Sequence, residues 1–355
     1  MSAVATVDLD VFRSNLRLLG DIAAPTSVMA MLKADAYGHG MLQLARPALE
    51  AGASWLGVLE ISEGLRLRDA GIDAPLFAWL HGSGADFAAA AGRHIDVGIS
   101  TEDELRAALT ARPTVPLQVH LKIDTGLHRN GATEREWPGL LDAAMAGENA
   151  GALRIRGIWS HLADASVADD EEALRRFREA IAVAAARGVH PELIHLAASS
   201  AGIRMPEARF DIVRFGIAAY GVSPFDDRSA ADIGVVPTMT LATAVAEGNG
   251  HTARIAAGWA DGLPARAAHA ASVWVRGHRH PLAEIGVDSS VIVEAAGLQT
   301  GDPVIVFGPG LRGEPTPTEW AEWAGTIGDE ILTGVPVRVP RRYVEAGDGR
   351  IEQPL

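Results

Sequence analysis

The sequence predicts an α/β protein, a (β/α)8 TIM-type barrel over residues 1–235 followed by a mostly β C-terminal domain over residues 236–355. Three observations predict it. Up to about residue 235, short apolar runs alternate with amphipathic stretches, the pattern of a parallel sheet built from strand–helix units. Beyond that point the texture changes to strand-like runs between Gly-rich turns. The 355 residues exceed what one small core needs and suit two domains.

The elements follow in order. Residues 27–32 (SVMAML) read as a buried strand, 41–51 as a helix, 55–58 as a strand and 61–69 as a helix. Short strands follow at 75–79 and 96–98. The stretch 101–111 opens TEDE, an N-cap with acidic residues in the first turn, and reads as a helix. Residues 115–123 and 155–159 read as strands, 169–187 as a long helix ending before Gly188, and 193–196 and 212–213 as the last strands of the series. About eight such units fit a closed barrel; the spacing fits an open doubly wound sheet equally well. In the second part, strands are expected at 237–245, 253–257, 271–275, 291–294 and 303–307, with one short helix near 317–323.

Composition narrows the function. The chain carries 31 basic and 45 acidic residues, a net charge of −14, which disfavours nucleic acid and anionic membranes as partners. It has no cysteine, so disulfides, thiolate catalysis and cysteine-based zinc sites are excluded. No His/Asp/Glu set has metal-site spacing, so no metal is expected. The N-terminus MSAVATVDLDVF lacks a basic start and an apolar core, and no apolar run is long enough to span a bilayer. A cytoplasmic protein is expected.

The strongest local signal is KADAYGHG, Lys33 to Gly40. A lysine just after a buried strand lies where barrel enzymes place catalytic groups. Desolvation there favours the neutral amine that Schiff-base chemistry needs. Tyr37 offers a hydroxyl suited to a phosphate, and the two glycines permit close backbone approach.

KADAYGHG resembles the pyridoxal 5′-phosphate (PLP) lysine motif of alanine racemases. Further segments resemble that family in the same order: ATVDLDVFRSNLRL (5–18), LKIDTGLHRNG (121–131), IWSHLA (158–163), HLAAS (195–199), RFGIAAYG (214–221), GWADGLP (258–264) and RVPR (338–341). The resemblance spans essentially the whole chain. It implies a PLP-dependent isomerase, an amino-acid racemase, in which Lys33 holds the cofactor as a Schiff base. Tyr37, Ser199 and the backbone near Gly216 and Ile217 would take the phosphate. Arg214 would face the pyridine nitrogen, with His161 beside it, and Arg129 would lie near the phenolic oxygen and the substrate carboxylate. Lys122 matches a position that many members carbamylate. The resemblance also implies a homodimer, with the active site at the interface and a small amino acid as substrate.

Two departures from the family stand out. Its second base is a tyrosine in a Ser-Tyr-Gly-type loop of the second domain. Here the region reads EGNGHTARIA (247–256) and is shortened: aligning Gly250-His251-Thr252 with the family's Gly-His-Thr puts Asn249 at the tyrosine position, a gap placed elsewhere deletes the tyrosine, and either way no phenol stands there. The family's Arg-x-x-Met-Asp-Gln string reads EIGVDS (284–289). The reading taken first is a racemase with an altered second base, for which His251 is the candidate. The alternatives are a PLP-dependent aldolase, decarboxylase or transaminase on the same scaffold, with His161 taking a hydroxyl proton in the aldol case, and a non-catalytic PLP-binding protein. Trp259 reads as a packing residue, Asp261 and Asp288 as capping or turn residues, and His120 and His195 as satisfied core histidines.

Overall fold

In the computed structural model, residues 2–345 are described; residues 346–355, the end of the expected second domain, lie outside them. The strands in chain order are β1 Val4–Asp8, β2 Ser27–Met31, β3 Trp55–Val58, β4 Leu76–Ala78, β5 Ile95–Ile99, β6 Leu117–Lys122, β7 Leu153–Trp159, β8 Leu193–His195 and β9 Ile212–Phe215. There follow β10 Met239–Gly248, β11 Thr252–Ile255, β12 Ser272–Val275, β13 His278–Ile285, β14 Ser290–Val293, β15 Pro303–Phe307 and β16 Arg341–Val344. The chain divides into two compact units that interleave along the sequence: residues 16–33 with 48–216, and residues 1–15 with 34–47 and 217–355.

The first unit is the barrel. Its sheet runs β8-β7-β6-β5-β4-β3-β2-β9, every neighbouring pair parallel. The two ends meet through Asp211 N–H donating to the Ile194 carbonyl (3.0 Å) and Arg214 N–H donating to that of Ala197 (3.1 Å). The sheet is therefore a closed (β/α)8 barrel rather than an open doubly wound sheet. Its strands are apolar on both faces because helices cover the outside and side chains fill the inside: β3, β4 and β5 are buried at every position. The TEDE cap forms as expected, with Thr101 Oγ1 accepting from Glu104 N–H at 3.1 Å ahead of helix Glu102–Thr110. The long helix runs Val167–Ala186, capped by Ser166. Helices Phe87–Gly92 and Trp137–Asn149 were not among the sequence expectations.

The second unit is mostly β. Strands β10, β15, β12, β13, β14 and β11 pair antiparallel in that order, and β11 pairs back with β10, so the six form a ring. A register shift between Val245 and Glu247 lets the ten-residue β10 turn from one set of neighbours to the other. The amino-terminal strand β1 belongs here and not to the barrel: it runs antiparallel to β10 and parallel to β16. Helix Pro317–Ala324 forms where expected, with a Thr316/Glu319 capping box. Among the described residues no helix is long and apolar enough to cross a membrane.

Candidate active site

The candidate residues of the barrel unit gather at the C-terminal ends of its strands. Lys33 follows β2, Lys122 ends β6, His161 follows β7, His195 ends β8, and Arg214 lies near the end of β9. In barrels this rim is where chemistry is placed, because the loops can vary while the strands stay fixed.

Arg214 is the best-anchored of them. Its side chain is buried, with Nη2 donating to the Ser160 and Leu196 carbonyls (2.9 Å each) and lying 3.1 Å from His161 Nδ1. Its Nη1 lies 3.1 Å from His195 Nδ1. Burial lowers its pKa, but a guanidinium has no acceptor and keeps its proton. The ring nitrogens facing it therefore accept. His161 is held neutral, its pKa driven well below the ordinary value by burial first and then by Arg214, Arg129, Lys122 and Lys33.

Lys122 sits over the Trp159 ring, 4.4 Å from its centroid, and donates to Asn130 Oδ1 in a short contact. Burial, Arg214 and Arg129 lower its pKa to about 7 against the pull of Asp124 and Glu104. The loop after β6 is held by Asp124, which accepts from the backbone N–H groups of Gly126 (3.0 Å) and His128 (3.1 Å) and pairs with the His128 ring. It carries Arg129 exposed. Ser199 is buried and accepts from Gly216 N–H at 3.1 Å.

The second unit holds the remaining residues. Residues Ala34, Asp35, Ala36 and Tyr37 all have φ between 52° and 56°, a left-handed turn without glycine, and Gly38 and Gly40 continue at φ 80° and 100°. Tyr37 is buried with its ring 4.8 Å from that of Tyr220; burial, with Asp329, raises its pKa far above the ordinary value. Ile217 begins the turn Ile217–Tyr220 directly after Gly216. Asn249, Gly250 and His251 form the exposed tip of the β10–β11 hairpin, where Asn249 Oδ1 accepts from the N–H groups of His251 (3.0 Å) and Thr252 (2.8 Å).

The barrel rim thus brings together Lys33, Arg129, His161, Ser199, Arg214 and Gly216, while Tyr37, Ile217 and His251 belong to the other unit. Asp261 is a capping residue, as expected: it accepts from Gly258 N–H and pairs with Arg338 at 2.6 Å. Trp259 is 53% exposed, so it does not pack in the core of the chain. Sequence reasoning passed over Trp159, which stacks on His195, lies 5.4 Å from the Arg214 guanidinium carbon and lines the site beside Lys122. Its place directly before Ser160-His161 in IWSHLA was the available signal.

Residues 7–224 match the family model "Alanine racemase, N-terminal domain", and residues 241–343 match "Alanine racemase, C-terminal domain". The chain belongs to the alanine racemase family. The alanine racemase of Frankia casuarinae is 41% identical, covering 97% of each chain, and that of Thermobifida fusca 39% identical, covering 97% of this chain and 98% of the other. The crystal structure of alanine racemase from D-cycloserine-producing Streptomyces lavendulae superposes with a TM-score of 0.94 at 37% identity, covering 97% of each chain. That from Streptomyces coelicolor gives 0.93 at 38%, covering 97% and 98%. Members of the alanine racemase family are PLP-dependent isomerases, and this chain is a PLP-dependent amino-acid racemase of that family. The donor set fits the cofactor. Lys33, Lys122, Arg129 and Arg214 all lie close enough to His161 to depress its pKa, and a cluster of that charge suits a phosphate, a phenolate and a substrate carboxylate.

Proposed function

We propose that the chain interconverts the enantiomers of a small amino acid, alanine first, with Lys33 as the proton-transferring group on one face and His251 on the other. The observation that carries the reading is the cationic cluster around a neutral His161 at the barrel rim. Bound PLP supplies the electron sink that makes the Cα proton acidic. Lys33 holds it and exchanges a proton at Cα through its amine. On the barrel unit, Ser199 and the Gly216 backbone would hold the phosphate. Arg214 would hold the pyridine end of the cofactor with an N–H that it does not release, which would leave the pyridine nitrogen without that proton. Arg129 orients the substrate carboxylate, and His161 accepts from Arg214.

The second face differs from the family pattern. Asn249 stands at the tyrosine position, its carboxamide engaged with its own hairpin and without a proton to exchange near neutral pH. His251 is exposed on the same tip, two residues from Asn249; Glu247, equally near on the other side, is paired with Arg254. A homodimer that brings this tip to the partner's rim belongs to the same reading. It is supported by apolar side chains exposed in the second unit, among them Trp259 (53%), Val287 (54%) and Val337 (93%). Trp259 and Ala260 donate their N–H groups to the Gly286 and Val287 carbonyls, and Val337 precedes the Arg338 that pairs with Asp261. The cytoplasmic placement expected from the sequence stays part of this reading.

The test is proton NMR of the PLP-loaded protein in D₂O with L-alanine and, separately, D-alanine, together with chiral analysis. Exchange at Cα from both enantiomers with inversion is expected, and His251→Gln lowers inversion more than exchange from one enantiomer. Exchange from one enantiomer with retention overturns the two-face assignment. It then leaves Lys33 as the one proton-transferring group, acting on a single face. No exchange from either enantiomer removes alanine as the substrate.

A further inference from the structure

A line of polar side chains runs through the barrel interior, a place usually filled by Val, Ile and Leu. Asp96, near the start of β5, is buried and takes both of its oxygens to Arg156 Nη1 at 3.1 Å. Its Oδ2 also lies 2.9 Å from His120 Nε2. His120 Nδ1 lies 2.8 Å from His195 Nε2, and His195 Nδ1 lies 3.1 Å from Arg214 Nη1. Both imidazoles are fully buried. The backbone is shaped for the line: the β6–β7 register shifts between Val119 and His120, and a Cβ at Gly157 would collide with the His120 ring.

From this geometry we infer that Asp96 is a positioning residue for Arg214, acting through His120 and His195. Each protonation state along the line follows from its ends. Arg214 can only donate, so His195 Nδ1 accepts and its proton sits on Nε2. That proton is donated to His120 Nδ1, so the proton of His120 sits on Nε2 and is donated to Asp96. A carboxylate can only accept, so the polarity of the line closes there. If His120 carried its proton on Nδ1, two N–H groups would face each other between the rings. His195 would then take the opposite tautomer and turn an N–H toward Arg214. Asp96 thus demands, from the opposite end of the strands, the same His195 tautomer that Arg214 demands, and through His120 gives the His195 Nε2–H the acceptor that keeps the ring and the Nη1 tether in place. Arg156 neutralises the carboxylate without taking part in the line.

The inference rests on the reading that Arg214 faces the cofactor, and the experiment separates the two. ¹⁵N NMR of histidine-labelled protein, cofactor-free and PLP-loaded, reads the ring tautomers directly. In the wild type His120 and His195 are both expected as neutral Nε2–H rings. His120→Leu cuts the line while leaving Asp96 on Arg156; it leaves the buried His195 Nε2–H without an acceptor and only Arg214 to hold the tautomer, so an Nδ1–H share of His195 is expected to appear. In the loaded enzyme, the visible absorption of the cofactor should shift and kcat should fall about 10- to 100-fold with KM for the amino acid nearly unchanged, the size of a small misplacement of an orienting group. If His120→Leu does not fold, Asp96→Asn is read instead. Its amide can accept from His120, but its charge is gone and its N–H₂ faces one of two donors, so the same mixture is expected at smaller amplitude. A wild-type His195 with its proton on Nδ1, or a His195 tautomer unchanged in these variants, overturns the inference. Failure of the wild type to bind PLP removes the cofactor reading while the tautomer result still decides the role of Asp96.

Discussion

Lys122 ends a barrel strand with its amine against Trp159 and Asn130, and burial with Arg214 and Arg129 lowers its pKa to about 7. At pH 8 the larger part of this amine is therefore free base, whereas an ordinary lysine is almost wholly protonated. A free amine beside two guanidinium groups suits the carbamate that the resemblance implies, because addition of CO₂ turns a disfavoured cation into a favoured anion. Protein equilibrated with ¹³C-bicarbonate at pH 8 is expected to give one carbamate resonance that is absent from Lys122→Met and weakens as the pH falls below about 7. No such signal would mean that Asn130 holds the amine uncarbamylated. The sequence marked Lys122, Arg129, His161 and Arg214 because each sits in a recognisable string. It did not mark Asp96, and it read His120 and His195 as core histidines. They are satisfied core histidines, yet one is satisfied by the other and both lead to Arg214. A histidine among apolar neighbours carries no sign of its partner when that partner is 75 residues away.

At the scale of elements, the turn after Lys33 is the least regular piece of the chain. Four non-glycine residues in the left-handed region cost about 1–2 kcal/mol each, so other contacts must hold them. His39 Nδ1 donates to the Ala36 and Tyr37 carbonyls at 3.0 Å, and its Nε2 lies 2.8 Å from Thr238 Oγ1. Arg341 Nε donates to the Gly38 carbonyl (3.0 Å), and the Tyr343 hydroxyl donates to that of His39 (3.0 Å). Ala34 is exposed, so Ala34→Gly relieves strain without opening a cavity. It is expected to raise stability by about 1 kcal/mol in urea unfolding, the left-handed penalty less the entropy of an added glycine; a loss of stability would mean the turn is not strained at that position. The two glycines of KADAYGHG were legible as flexible positions. The left-handed run was not, because local preference opposes it and the groups that impose it come from residues 238, 341 and 343. Strand β1 shows the same limit: Val4–Asp8 read only as part of a family string, and its partners β10 and β16 lie more than two hundred residues on.

For the whole molecule, the strand–helix alternation and the change of texture near residue 235 were enough for a parallel α/β unit followed by a β unit, because both are written in local periodicity; closure of the barrel was not legible there, because it depends on β8 meeting β9. The interleaving of the units was not, because it depends on which distant edge a strand joins. The same burial that shapes the cores sets the response to acid. Burial lowers the pKa of His39 and His81 to about 4 and drives those of His161 and His195 well below the ordinary value. In the unfolded chain all four would titrate near 6.5. Between these limits the unfolded state binds more protons, so stability is fully present above pH 6.5 and is lost as pH falls toward 4. Each histidine contributes about 1.4 kcal/mol per pH unit within that window. An opposing effect exists: the chain carries −14, and protonation on the way to its pI of 5.3 relieves repulsion among surface carboxylates. Those charges are solvated and screened beyond about 8 Å at physiological salt, so the buried rings decide the sign. Urea midpoints are expected to fall steadily from pH 7.5 to 5 at both 0.15 and 0.5 M NaCl, the higher salt leaving the slope in place because buried groups are little screened. His81→Leu should flatten the slope by one proton. Midpoints that rise toward the pI would show that surface repulsion, and not the neutral histidine core, governs the acid side of the stability curve.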